Sequence, residues 1–383
     1  MALFEKAEVK IVTKSPVHIG GVEQKKTRFE FIIHGNYLYP ISEDRLAEFL
    51  SKENLIFDYC AQLENKANLF NLADFLRSKA FILNESLLLK LSSGKRIYLN
   101  HNASLMQDYR PYIRDGFGMP YIPGTSIKGV IRTAILYNLL KELKESSYED
   151  FEVNFERRIV EDIEQKKSKR DFSAWLNKEY FEGFKLLGKE KSPYTDWLKM
   201  LKISDAYPDG EIQTSIIPIN ILKREENWKY KEEYSGKKTT IWTECIPENV
   251  TFRFEVLWER SFLSEFKKQH YRFKMPENLN ATFECINRWA QDLINFEKEF
   301  LATNAMKKWY ENNVCNFRIG FGSGMISTTI LMLLSESLRK KIRNYAGLDR
   351  GETIAPKSRR VFQRDSLLTP LGWCLITVDG TRH

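Results

Sequence analysis

The sequence has few cysteines and no long apolar run. Its five cysteines, Cys60, Cys245, Cys285, Cys315 and Cys374, lie far apart in 383 residues and form no CxxC pair. An odd, scattered set argues against a disulfide framework and a cysteine zinc site, and a reducing cytoplasm is the expected compartment. The longest strongly apolar uncharged run, Ile319 to Ser335, holds three glycines in 17 residues, too short and broken to span a membrane. Met-Ala-Leu-Phe-Glu-Lys at the N-terminus lacks the basic and apolar blocks of a signal peptide. Histidine is equally sparse: His34, His101, His270 and His383 make no HxxxH or HxH pair, and no GxSxG occurs. Metal hydrolysis and Ser-His-Asp chemistry have no support, and no metal or cofactor is expected.

What is present suits packed cores: 43% of residues are hydrophobic and 13% aromatic, which excludes a disordered chain. The length favours two domains, with the boundary expected near 190. Residues 1–190 would end in a charged helical insertion from about 141, because Lys141 to Arg170 carries eight basic and nine acidic residues with few apolar anchors. Strands are expected at Glu8 to Lys14, Thr27 to Ile33, Leu198 to Ser204 and Ser215 to Leu222. A hairpin-like pair is expected at Thr240 to Ile246 and Val250 to Trp258. Helical spacing marks Ile127, Val130, Ile131, Ala134, Ile135 and Leu139, the stretch from about Glu277 to Tyr310, and a run through Ile326, Ile330, Leu334, Leu338 and Ile342. Strands and helices mix without regular βαβ alternation, so the class is α+β.

The net charge of +8 is local. Between Arg339 and Arg364 stand nine basic residues against two acidic ones, so the rest of the chain is nearly neutral. Such a patch, containing Lys357, Arg359 and Arg360, suits a polyanion; a solvated charged face is the plainer reading. A second candidate is Gly124-Thr125-Ser126-Ile127-Lys128-Gly129 with Arg132. Cations in the first turns of a helix oppose its dipole, so Lys128 and Arg132 are better explained if an anion sits over the exposed N–H groups. An ordinary cap with two solvent-facing cations is the alternative. Walker A is not met. Gly320, Gly322 and Gly324 form GxGxG between a short strand and a helix, without the third glycine spacing or the later acid of a dinucleotide site. A loop approaching another backbone, of RNA or of a partner chain, is the better reading. His18 follows Pro16-Val17 and precedes Gly20-Gly21, so it is expected exposed at a strand end, as a general base, an RNA contact or a residue packed on its own turn.

Taken together, several segments resemble the RAMP superfamily of CRISPR-associated proteins. They are Ser15-Pro-Val-His-Ile-Gly, Tyr121-Ile-Pro-Gly-Thr-Ser-Ile-Lys-Gly-Val-Ile-Arg, Ile203-Ser-Asp-Ala, Arg318-Ile-Gly-Phe-Gly-Ser-Gly, Pro356-Lys-Ser-Arg-Arg-Val and Pro370-Leu-Gly-Trp. The length and the late Lys-Ser-Arg-Arg segment are most similar to the family of the fifth Csm subunit of type III-A interference complexes, with type III-B relatives next. The resemblance implies tandem ferredoxin-like (RRM-like) domains and a subunit that caps the 3′ side of the guide RNA and supports its maturation. Its implied partners are the guide, the backbone RAMP subunits, other Csm subunits and the host nucleases that trim the guide. On this reading His18, Gly20, Gly21, Thr125, Ser126, Lys128, Arg132, Lys357, Arg359 and Arg360 contact RNA, and no residue is catalytic. The backbone subunits that cleave target RNA carry an aspartate shortly after the histidine segment. Here no aspartate precedes Asp44, and Glu23 and Glu30 are the only nearby acids. The rivals are an endoribonuclease with His18 as general base, and a protein–protein scaffold of a type III-B complex.

Overall fold

The computed structural model describes residues 3–22, 25–66, 70–99, 101, 103, 106–168, 170–186, 188–190, 195–224, 227–233, 236–269, 274–301, 303–348, 355–364 and 366–382. It mixes helices and strands, as an α+β chain does.

Strand β1 (Phe4–Thr13) alternates exposed and buried positions, so that Ala7, Val9 and Ile11 enter the core. It pairs antiparallel on both sides with strands from the second half of the sequence, one of them close to its end. Strands β2 (Phe31–His34) and β3 (Tyr37–Pro40) form a hairpin whose turn places Gly35 at φ +58°. Ser42 then caps α1 (Glu43–Lys52), its Oγ accepting from the Arg45 N–H at 3.5 Å. With α2 (Ile56–Lys66), α3 (Leu72–Ser78) and α4 (Glu85–Leu91), this helix builds a satellite core around Leu46, Leu50, Phe75, Leu76 and Leu88. Strand β4 (Ile97–Leu99) returns to β3.

The long helix α5 (Gly124–Ser146) buries Ile127, Ile131, Ala134, Ile135 and Leu139, the face its apolar spacing predicts. It packs against α6 (Leu279–Phe296), and both contribute to the core under the first sheet. That sheet runs in the order Tyr207–Pro208, Thr251–Glu259, β1, Trp373–Arg382, Phe317–Arg318, with Leu201–Ile203 beside Thr251–Glu259. The second large sheet runs Leu367–Pro370, Ser358–Arg364, Ser215–Arg224, β4, β3, β2, with Trp228–Tyr230 and Thr240–Cys245 also on Ser215–Arg224.

Three expectations are corrected. The boundary near 190 does not separate the sheets: each large sheet takes strands from both sides of it, because ladder partners are chosen across the chain and not by nearness in sequence. The strands at Thr240–Cys245 and Thr251–Glu259 are not a hairpin. The first pairs with Ser215–Arg224 and the second with β1, and the link crosses between sheets at Asn249, whose φ is +63°. The apolar run from Ile326 to Ile342 is not one helix. Its five spaced residues are all buried, but one turn of α-helix at Gly324–Ser327 and a short 3-10 helix at Leu331–Leu333 precede a separate helix, Glu336–Tyr345, which starts behind a Ser335 cap. The Lys141 to Arg170 stretch is helical in short pieces, among them Arg157–Glu164.

Candidate nucleic-acid interface

The segment Ser15 to Gly21 lies far in sequence from both the glycine loop and the turn at Gly372, and meets both. Ser15 Oγ accepts from the Trp373 N–H at 2.8 Å, the Gly372 N–H donates to Pro16 O at 3.0 Å, and the Phe321 N–H donates to His18 O at 2.8 Å. Gly320 sits at φ +82°, and a Cβ there would overlap the His18 carbonyl oxygen, so only glycine fits. At Gly322 a Cβ would strike Leu371, while at Gly324 it would come 3.8 Å from an Arg359 nitrogen. The backbone that this loop approaches is therefore its own.

His18 is buried, not exposed as its position before Gly20-Gly21 suggests. Its Nδ1–H donates to the Glu244 carbonyl at 2.7 Å, and its ring meets Tyr112 and Phe321 edge-on. Burial lowers its pKa, against the Glu244 carbonyl and carboxylate, which raise it; Arg110 lowers it further. Gly20 and Gly21 remain at the surface, and Gly20 bridges to Tyr112. Glu244, which no sequence motif singles out, organises this corner. Its buried carboxylate accepts from Thr214 Oγ1 at 2.6 Å, from the Tyr112 N–H at 2.8 Å and from Arg114.

Phe321, the residue between the first two loop glycines, lies between two guanidiniums. Arg360 stands 4.4 Å and Arg110 4.9 Å from its ring centroid. Among the described residues neither guanidinium has an ion pair or side-chain hydrogen bond, and the buried Nε of each is unpartnered. Burial first, and the Arg110 charge second, lower the Arg360 pKa. Two like charges held on one ring without a carboxylate form a local concentration of positive charge, which favours an anion. Arg110 came from no sequence motif; only the fold places it opposite Arg360.

The rest of the basic segment is less free than its composition suggests. Arg359 is buried and its Nε donates to Glu297 at 3.0 Å, while the other carboxylate oxygen of Glu297 takes Arg318 at 2.9 Å. Arg339 is buried too, donating to the Ala355 and Leu334 carbonyls at 3.1 and 2.6 Å. Lys357 is half-buried, and its carbonyl accepts from the Arg224 N–H at 2.8 Å. Lys340 faces Glu336 at 3.4 Å and Arg364 faces Glu248 at 3.5 Å. Arg350 lies outside the described residues, as do His270 and His383.

At the start of α5 the protein's own groups meet the first N–H and both cations. Asp205 Oδ1 accepts from the Gly124 N–H at 2.7 Å, Arg132 pairs with Asp196 and lies 4.4 Å from the Phe181 ring centroid, and Lys128 donates to Leu201 O at 2.7 Å. The cap is Pro123, not a hydroxyl; Thr125 is exposed and Ser126 half-buried in the first turn. Gly124 is needed because a Cβ would come within 2.7 Å of the Ile203 and Ser204 carbonyls. Lys128→Ala with Arg132→Ala should therefore lower the stability of the free protein by about 1–2 kcal/mol, screening included. Urea denaturation checks this, and an unchanged or higher midpoint would show the two cations to be surface charges.

Among the described residues no group of three or more His, Cys, Asp or Glu is placed to hold a metal ion, and no helix is long and apolar enough to cross a membrane. The chain is 25% identical over 260 residues to the CRISPR system Cms protein Csm5 of Streptococcus thermophilus, covering 65% of this chain and 63% of that one. It is 28% identical over 149 residues to the protein of the same name from Enterococcus italicus, covering 33% and 42%. The matches thus span less than two thirds of these relatives' lengths. Its fold is similar to a chain of a cryo-EM structure of a Csm–crRNA–target RNA ternary complex from a type III-A CRISPR-Cas system, with TM-score 0.70 and 21% identity over 97% of this chain and 100% of that one. The crystal structure of T. onnurineus Csm5 is also similar, with TM-score 0.61 and 17% identity over 96% and 100%. The RAMP superfamily model matches residues 10–324, running from β1 to the last glycine of the loop, and the chain belongs to that superfamily.

Proposed function

We propose that this chain is a non-catalytic, RNA-binding capping subunit of a type III-A CRISPR (Csm) effector complex. It holds the 3′ side of the guide RNA, supports guide maturation, and docks on backbone RAMP subunits and other Csm subunits. The first sheet with α5 and α6 is read as one ferredoxin-like unit, completed by strands from both ends of the chain. The observation that carries the reading is the pair Arg110 and Arg360 on Phe321: cations without a counter-ion among the described residues, beside the His18 turn and the glycine loop. Phosphate contacts of this kind position a chain on RNA without reading its sequence. Burial of His18, with Nδ1 committed to a backbone carbonyl, favours a positioning role for it over that of a general base.

The test is to co-express the chain with backbone subunits and a guide, purify the assembly, and incubate the isolated chain with single-stranded RNA with and without divalent metal. Co-elution with guide and backbone subunits, and intact RNA, are expected. Failure to co-elute overturns the assignment to a complex. Specific cleavage that disappears in His18→Ala overturns the non-catalytic reading in favour of an endoribonuclease.

A further inference from the structure

The satellite helices α1 and α2 leave an apolar groove of about 530 Å3 where they meet the segment before β2. Phe29, Ile41, Leu46, Tyr59 and Leu63 line it. Ile56, three residues before Tyr59 and seven before Leu63, extends the same helical face into solvent, and Phe57 beside it is 89% exposed. The rim is acidic. Glu30, Glu43 and Glu64 stand around the groove with one cation, Lys26. Glu30 is engaged by the Thr27 N–H at 2.8 Å and by Lys26 at 3.8 Å, whereas Glu43 and Glu64 have no ion-pair partner among the described residues. Burial, with Cys60, Glu43 and Glu30 nearby, raises the Tyr59 pKa, so its phenol stays protonated in the groove wall.

This charge is opposite to that of the chain as a whole, and it selects the occupant. A polyanion is repelled by an acidic rim, so the guide is excluded from this face. A two-fold contact with a second copy would set the same carboxylates against each other. The geometry points to a docking site for a partner-protein segment that carries apolar anchors at helical spacing flanked by lysine or arginine. Its anchors would fill the groove, and its cations would meet Glu43 and Glu64.

Cys60 is exposed on α2 while the other four cysteines are buried, so a thiol-reactive fluorophore attaches beside the groove on the full chain. The probes are two synthetic 14-residue amphipathic helices with leucines at i and i+4, one flanked by lysines and one by glutamates. Saturable binding of the lysine peptide is expected, at least tenfold tighter than that of the glutamate peptide. It should weaken at least tenfold in Glu43→Lys with Glu64→Lys, and several-fold in Glu64→Lys alone, with the urea midpoint unchanged in that single variant, which leaves the first turn of α1 intact. Equal binding of both peptides, or no binding, would each overturn the proposal.

Discussion

Replacing Glu297 with alanine should lower the unfolding free energy by about 3–5 kcal/mol, the usual consequence of leaving buried charge without its partner. Glu297 and Arg318 are fully buried and Arg359 nearly so, and both guanidiniums rest on the one carboxylate. Arg318 also donates to the Leu371 carbonyl at 3.2 Å and stands 5.1 Å from the Trp373 ring centroid, so losing Glu297 strands two cations under the glycine loop. Burial alone would raise the Glu297 pKa. The Arg359 and Arg318 charges and hydrogen bonds outweigh it, and the net shift is downward. A carboxyl whose folded pKa lies below its unfolded value contributes stability that is fully present above the unfolded value, about 4.3, and lost as pH falls through the folded one. Urea titrations at pH 7 and pH 3 should therefore show the gap between wild type and Glu297→Gln narrowing in acid. A loss below about 1 kcal/mol at pH 7 would show that the two arginines do not depend on this carboxylate. Because Arg359 belongs to this core, substituting it reports on folding before it reports on RNA.

The second large effect concerns affinity. Arg110→Ala with Arg360→Ala should weaken binding of single-stranded guide RNA by about 10- to 100-fold at moderate salt, each charge-assisted hydrogen bond being worth about 1.5–3 kcal/mol before screening. The log–log salt slope should fall by about one for each phosphate that is no longer neutralised. Folding should be spared, because neither guanidinium has a counter-ion among the described residues and removing both relieves their mutual repulsion across Phe321. Filter-binding titrations at several salt concentrations, with a urea midpoint on the same protein, separate the two effects. An unchanged slope would show the pair to be a structural stack. A collapsed midpoint would show that the arginines hold the loop together.

Much of the local structure was legible. The strand expected at Glu8 to Lys14 falls within or beside Phe4–Thr13, and the apolar stripe from Ile127 to Leu139 lies on Gly124–Ser146, because each reports a period that neighbouring residues satisfy among themselves. The dipole argument at Lys128 and Arg132 left an anion and an ordinary cap open and could not foresee the partners found, because Asp196 and Asp205 arrive from some 60 to 80 residues away. Composition likewise located the excess charge between Arg339 and Arg364 and could not tell a surface arginine from a core one. Arg359 and Arg360 are neighbours on one strand, where successive side chains point to opposite faces, so one meets Glu297 in the core and the other meets Phe321. Sequence by itself thus determined the α+β character and the segments that resemble the RAMP superfamily, since both are written in short-range spacing. Which strands share a sheet, which cations are already paired, and that Arg110 stands opposite Arg360 were decided by the tertiary structure alone, because those contacts join residues tens to hundreds of positions apart.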